Sequence, residues 1–235
     1  MNLNDILTAS FLVALLTAGI RLAMPILLAV LGEIITEKAG VLNLGLEGMM
    51  LMGALAGFMT AWWLEQMQVD PTVAAWLGLL AGALTGAAMG GLLSILAVTL
   101  RADQVISSVM IVLLGQGLSS YLYRQEFSSL TARIGGLGPA PVPGLSQLPI
   151  VGDLFFNHDM AVYLAALLVP ATWFLLNRTT LGLNIRAVGE YPSAAESSGL
   201  SVSGIRYTAP MLGAALAGLG GAVLAVAQLY LFREE

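Results

Sequence analysis

Long apolar stretches separated by short polar ones dominate the chain. They run over 6–32, 46–64, 72–100, 105–123, 160–176 and 207–232. A helix needs about 20 mainly apolar residues to cross the hydrocarbon core, and inside a bilayer only helices or closed barrels satisfy the backbone. The runs are long and lack the alternation of barrel strands, so the pattern predicts an all-α polytopic membrane protein with about five to six transmembrane helices. Arg21 and Pro25 interrupt the first run, which reads as one tilted helix or as two short ones. Trp62 and Trp63 close the second at an interfacial position. In the third, Gly78, Gly82, Gly86 and Gly90 recur every four residues, a small-residue face that lets another helix approach closely. The fifth contains Pro170.

Composition sharpens this picture. Apolar side chains make up 58% of the 235 residues and charged ones 10%, against about 25% charged in soluble domains. The formal charge of −5 leaves no electrostatic footprint for nucleic acid. Without cysteine, and with His158 as the one histidine, thiolate or multi-histidine metal centres are excluded within the chain. Asn2, Asn4 and Asp5 supply no positive region ahead of the first apolar run, so the start reads as mature protein rather than as a secretory signal.

The basic residues set an orientation. Placing 177–206 in the cytoplasm gathers Lys38, Arg101, Arg178, Arg186 and Arg206 there and leaves Arg124, Arg133 and Arg233 outside. The side of the N-terminus stays open, since it depends on how often the first run crosses.

Several segments are candidates for function. Between the first two runs, Gly40, Gly45 and Gly48 weaken a continuous helix, and Asn43 and Glu47 are polar groups in an apolar frame. Broken helices of this kind expose backbone dipoles to a permeating solute. The alternative is a cytoplasmic turn in which Glu33, Glu37 and Lys38 are solvated. Farther on, Pro192 suits the first turn of a helix and Gly199 its far end, so 193–198 reads as a short helix of small residues. Lacking a large apolar face, it fits a groove on another protein; an ordinary surface helix is the alternative. On the opposite side, Pro139, Pro141, Pro143 and Pro149 among Gly135, Gly136, Gly138 and Gly144 predict a stiff irregular loop, either a plain connector or a landing site for an external partner. Asp103, Gln104, Ser107 and Ser108 read as helix-end caps and backbone partners, and His158 as a solvated loop residue. The G-K-[ST] core of a nucleotide-binding loop cannot be written with a lone Lys38 followed by Ala39. A G-x-S-x-G nucleophile elbow is also absent.

Two stretches carry a resemblance. Residues 37–50, EKAGVLNLGLEGMM, resemble the N-terminal signature of permeases of ATP-binding-cassette importers, in the branch that handles nucleosides, ribose-type sugars and branched-chain amino acids. The Glu47-Gly48-Met49 ending is most similar to the nucleoside and simple-sugar members. Residues 186–200, RAVGEYPSAAESSGL, resemble the same family's cytoplasmic coupling segment, and Gly213 to Gly221 the small-residue helix that follows it. The chain stops at Arg233-Glu234-Glu235, C-terminally short relative to the family, whose members continue through further helices.

The resemblance implies one transmembrane permease domain over 1–235, with a coupling segment at about 181–206 and an external loop at about 124–159. It implies a transport subunit of the bacterial inner membrane that is not itself an enzyme and has no cofactor, with ATP hydrolysis on a separate cytoplasmic ATPase. A second permease subunit, a different chain, and an extracytoplasmic binding protein complete the importer. Gly189, Glu190, Pro192, Ser193, Ala194, Ala195, Glu196 and Gly199 would couple to the ATPase. Asn43, Gly45, Glu47 and Gly48 would lie on or beside the solute pathway. Competing readings are an ion-coupled secondary transporter or channel, and a non-transporting membrane assembly subunit.

Overall fold

The computed structural model describes residues 9–127, 132–138, 140–146 and 151–232. Pro139, Pro149 and Arg233 therefore lie outside the described residues. Eight α-helices occur among those described: α1 (Ala9–Lys38), α2 (Leu46–Gln66), α3 (Pro71–Ser94), α4 (Gln104–Phe127), α5 (Met160–Arg178), α6 (Thr180–Glu190), α7 (Pro192–Ser197) and α8 (Val202–Ala222). π-Helical turns extend α3 over Ile95–Thr99 and α8 over Val223–Leu229. Five helices are long and apolar enough to cross a membrane: α1, α3 and α8 with their extensions, α4 and α5. The protein is a polytopic membrane protein. Helix α2 has the length but is not apolar enough to be among the five, since Glu47 and Glu65 sit near its ends and glycines recur between them.

The first apolar run is a single helix, about 45 Å long at 1.5 Å per residue. Pro25 lies inside it without ending it. A proline supplies no N–H to the carbonyl four residues back, here that of Arg21. The side-chain amide of Gln228, from the end of α8, donates to that oxygen. A neighbouring helix thus supplies the bond that the proline removed, which is how prolines are tolerated in lipid.

Glycine sets how closely the helices pack. Gly78 lies against the carbonyl of Gly57, and Gly82 against Gly53 and Ala222. Gly86 faces the backbone of Ala214 and Gly218, and Gly90 that of Pro210 and Met211. One stripe on α3 therefore meets two helices, α2 at its beginning and α8 toward its end. Helix α8 answers with Gly213 against Gly32 of α1, Gly218 against Gly82 and Gly86, and Gly221 against Met50 of α2. A Cβ at Gly82 would stand 2.8 Å from the Gly53 oxygen, closer than side chains approach backbone. Helix α8 is the axis of the bundle. Its contacts make it antiparallel to α1 and α3 and parallel to α2. Around the end remote from α7, Phe58, Trp62, Tyr123, Phe127 and Phe232 form an aromatic cluster with ring centroids 5.0–6.4 Å apart.

These directions put Lys38, Arg101, Arg178, Arg186 and Arg206 at one end of the bundle and Arg124 and Arg133 at the other, and by the positive-inside rule the first end is assigned to the cytoplasm. The beginning of α1 then lies at the outer end. There the loop folds back over the bundle. Gly135 N–H donates to both carboxylate oxygens of Glu65 (2.9 and 3.1 Å), and Ile134 N–H to the Tyr230 carbonyl (3.2 Å). His158 is buried rather than solvated, 4% exposed, with a ring nitrogen 2.9 Å from the Leu154 oxygen.

Beside it is the one ion pair among the described residues. Arg21 of α1 meets Asp159, ahead of α5, at 2.9 Å. The same guanidinium donates to the Ala227 carbonyl (2.9 Å) and to the Tyr230 hydroxyl (3.4 Å), whose proton goes to the Leu137 carbonyl (3.2 Å). Burial pushes the Asp159 carboxyl above its ordinary range, opposed by the charges of Arg21 and His158. This network ties α1, α5, the end of α8 and the outer loop together at one point.

Gly86→Val should cost about 3 kcal/mol, because the added atoms meet backbone that cannot retreat, whereas Gly19→Ala, with nothing within 4 Å, should be neutral or stabilise by up to about 1 kcal/mol. Thermal unfolding in detergent reads both. Asp159→Ala should destabilise by about 1–3 kcal/mol by leaving Arg21 without its counter-ion, and the double replacement Arg21→Leu with Asp159→Leu should recover much of that loss. A double variant no more stable than the single one would show that the charge pairing is not what matters there.

Candidate functional site: a braced cytoplasmic arm

The cytoplasmic end is built from two connected pieces. The first is the link between α1 and α2. Helix α1 ends at Gly40, whose φ of +76° favours glycine. Gly40 N–H bonds the Glu37 carbonyl (2.9 Å) and Val41 N–H the Thr36 carbonyl (3.3 Å), the Schellman pattern. Beyond it the chain is extended, with Val41, Asn43 and Gly45 turned inward and Leu42 and Leu44 outward.

Three backbone N–H groups of this link find side-chain acceptors. Leu42 donates to Gln104 Oε1 (2.8 Å), Asn43 to Glu33 Oε1 (3.1 Å), and Gly45 to Asn43 Oδ1 (2.9 Å). Asn43 is 1% exposed. Gly45 and Gly48 press against Ile111 and Val112 of α4, and Gly115 of α4 presses back on Gly48. Glu47 is exposed in the first turn of α2, where a negative charge complements the helix dipole. Gly45 and Gly48 thus share one buried contact with α4, Asn43 is buried beside them and holds Gly45, and Glu47 stands outside it. Asp103 caps α4 by accepting from Val105 (2.9 Å) and Ile106 (3.0 Å), as its position suggested.

The second piece is the arm of α6 and α7. Periodicity in 181–206 hides α6 because its apolar face is narrow: Gly182, Ile185 and Val188 are buried, and Ile185 packs with Ile35, Ala39, Leu176 and Ala209. The arm therefore rests across the ends of α1, α5 and α8. Thr179 accepts from Gly182 N–H (3.1 Å) and fixes the turn out of α5. At the far end, a Cβ on Gly189 would overlap the Lys38 carbonyl, and Gly40 faces Gly189 Cα at ordinary contact distance. The link and the arm touch backbone to backbone.

Helix α7 begins with Pro192 at its first position. It ends in a second Schellman pattern, with Gly199 at φ +86°, Gly199 N–H on the Glu196 carbonyl (2.9 Å) and Leu200 N–H on Ala195 (3.0 Å). Ser193, Ala194, Glu196 and Gly199 are exposed, as is Glu190 on the preceding turn, while Ala195 is 5% exposed and points into the bundle. The surface offered to a partner is therefore Ser193, Ala194 and Glu196, flanked by Tyr191 at 73% exposure.

Sequence reasoning passed over one feature. The face of α4 turned away from α2 is apolar toward the cytoplasm, with Ile106, Val109, Met110 and Leu113 exposed. Toward the outside it carries Gln116, Ser120 and Gln125 with Gly117 and Tyr121. An open depression of about 660 Å³ lies along that outer half, lined by Gly117, Ser120, Tyr121, Arg124 and Gln125, with Gln116 one residue before it in the chain. Gln116, an exposed amide in the middle of a spanning helix, was the signal available in the sequence.

Residues 15–231 match the family described as the branched-chain amino acid transport system / permease component. The chain is 43% identical over 221 residues to a putative glucose ABC transporter permease, TsgC13, of Haloferax volcanii, covering 93% of this chain. It is 35% identical to the guanosine ABC transporter permease NupQ of Bacillus subtilis and 33% identical to the nucleoside ABC transporter permease NupC of Lactococcus lactis, each over 86% of this chain. It spans 64% of the length of each of these three relatives. No solved structure matches significantly. The chain, a multi-pass membrane protein with a small exposed helix on a braced arm, belongs to the branched-chain amino acid transport system permease family.

Proposed function

We propose that this chain is the membrane-spanning permease subunit of an ATP-driven, binding-protein-dependent importer for nucleosides or simple sugars. The observation that carries this reading is α7: a helix of small residues, stiffened at both ends and exposed on its outer side, mounted on an arm that rests on three spanning helices. A force applied to α7 has a rigid path into the bundle through the contact of Gly189 with the end of α1. In this reading 1–235 forms one permease domain in the inner membrane, and Glu190, Ser193, Ala194 and Glu196 meet a cytoplasmic ATPase that performs the hydrolysis. Gly189, Pro192, Ala195 and Gly199 shape and seat the helix.

A second permease chain covers α4. Polar groups at membrane depth face protein or water rather than lipid, so the outer half of α4 lines the solute path and its apolar inner half meets the partner. Gln116 and Ser120 suit an uncharged solute rich in hydroxyl groups, in keeping with the nucleoside and glucose systems to which the relatives belong. Asn43, Gly45 and Gly48 hold the mouth of that path through α4, with Glu47 at its rim. An extracytoplasmic binding protein delivers solute at the outer loop.

Replacing Ala194 with Arg should lower co-purification of the ATPase about tenfold or more, since packed interface centres carry most of the binding energy. The thermal stability of the chain should not change, because Ala194 is exposed. Unchanged association would remove α7 from the docking surface. Gln116→Leu should instead leave ATPase association intact while reducing uptake of labelled guanosine, uridine or ribose into cells carrying the complete importer. Undiminished uptake of all three would take α4 off the path.

A further inference from the structure

A cleft of about 310 Å³ opens between α1 and α5 near their cytoplasmic ends. Its walls are Leu31, Ile34, Val169, Thr172, Trp173 and Leu176, and its cytoplasmic rim carries Lys38, Asn177 and Arg186. We propose that this cleft binds one anionic phospholipid, with an acyl chain between α1 and α5 and the phosphate between Lys38 and Arg186.

Three independent features converge on this ligand. The apolar walls continue into the outward surfaces of both helices, where Ile26 and Val30 of α1 and Leu167 and Phe174 of α5 are exposed, so the cleft opens toward lipid. The ionisable groups of the lining are both cationic, and neither forms an ion pair with any described residue. Glu37 and Glu190 lie close in sequence to the two cations but are exposed and outside the lining. Arg186 is only partly exposed and has no ion pair with a described residue, so a cation held at the rim of the cleft stands without a counter-ion.

Trp173 marks the depth. It is 55% exposed, Arg178 lies over its ring at 5.8 Å, and Asn177 donates to its carbonyl (2.9 Å). A tryptophan with an arginine above it is characteristic of the headgroup level. Basic pockets between spanning helices on the cytoplasmic side are where acidic headgroups bind. A bound phosphate would bridge the end of α1 to α6 and so clamp the arm that carries α7 against the bundle.

The test uses the chain alone and is therefore independent of the importer reading. Native mass spectrometry of the detergent-purified chain with equal phosphatidylglycerol and phosphatidylcholine should show a roughly tenfold preference for the anionic lipid. Lys38→Gln with Arg186→Gln should abolish that preference, while Arg101→Gln with Arg206→Gln, at the other cytoplasmic basic cluster, should retain it. Thr172→Phe keeps both charges and fills the cleft, and it should also reduce lipid retention. It keeps the test decisive if the double charge variant does not fold. Inorganic phosphate in millimolar excess should not displace the lipid.

Equal retention of the two lipids by the native chain would overturn the proposal. So would a preference that survives both the charge variant and the filled cleft. Displacement by phosphate would overturn it in favour of a simple anion site.

Discussion

Backbone-to-backbone contact through glycine is the constraint on which the rest of the structure depends. In a bilayer, lipid tails are as apolar as leucine, so burying leucine between helices gains little, and association has to come from close packing. Helix α8 meets α1, α2 and α3 through Gly213, Gly218 and Gly221, each set against another backbone. That places three helices around α8 at contacts too close for side chains to intervene. Every functional element at the cytoplasmic end is referred to this axis, because α1 and α8 carry the surfaces on which α6 rests.

The second demand of the membrane is that no backbone polar group be left alone, and it explains where polar side chains occur. Gln228 serves the carbonyl that Pro25 orphans. Glu33, Gln104 and Asn43 serve the N–H groups of the extended link. Arg21 is neutralised by Asp159 and anchored to carbonyls of the α8 extension. Gln228, Glu33, Gln104, Asn43 and Arg21, which look out of place in an apolar sequence, are each spoken for by a nearby backbone group or charge.

Function follows from combining rigidity with exposure. The arm of α6 and α7 has a buried seam and a bare outer surface, with Pro192 opening α7 and the Schellman end at Gly199 closing it. In the proposed permease, a partner that moves α7 would move the ends of the three spanning helices on which the arm rests. The open face of α4 is the complementary surface, polar at one end and apolar at the other, and in the proposed permease these ends would serve as path and seal.

Much of this was legible in the sequence, since membrane helices are a matter of apolar length, and caps and small-residue stripes are local. The spans, the Gly78 to Gly90 repeat, the cap by Asp103, the small helix after Pro192 and the family signatures at 37–50 and 186–200 can all be read without coordinates. Which glycine ends a helix and which admits a neighbour cannot. Gly40 takes a positive φ and stops α1, whereas Gly48 continues α2 and receives Gly115, and the difference lies in what packs alongside. Tertiary structure also decided that the first run is one helix, that His158 and Ala195 are buried, and that α6 braces the arm. These outcomes rest on partners far along the chain, such as Gln228 for Pro25 and Ile35 for Ile185, and a local pattern holds no information about which distant residue will supply them.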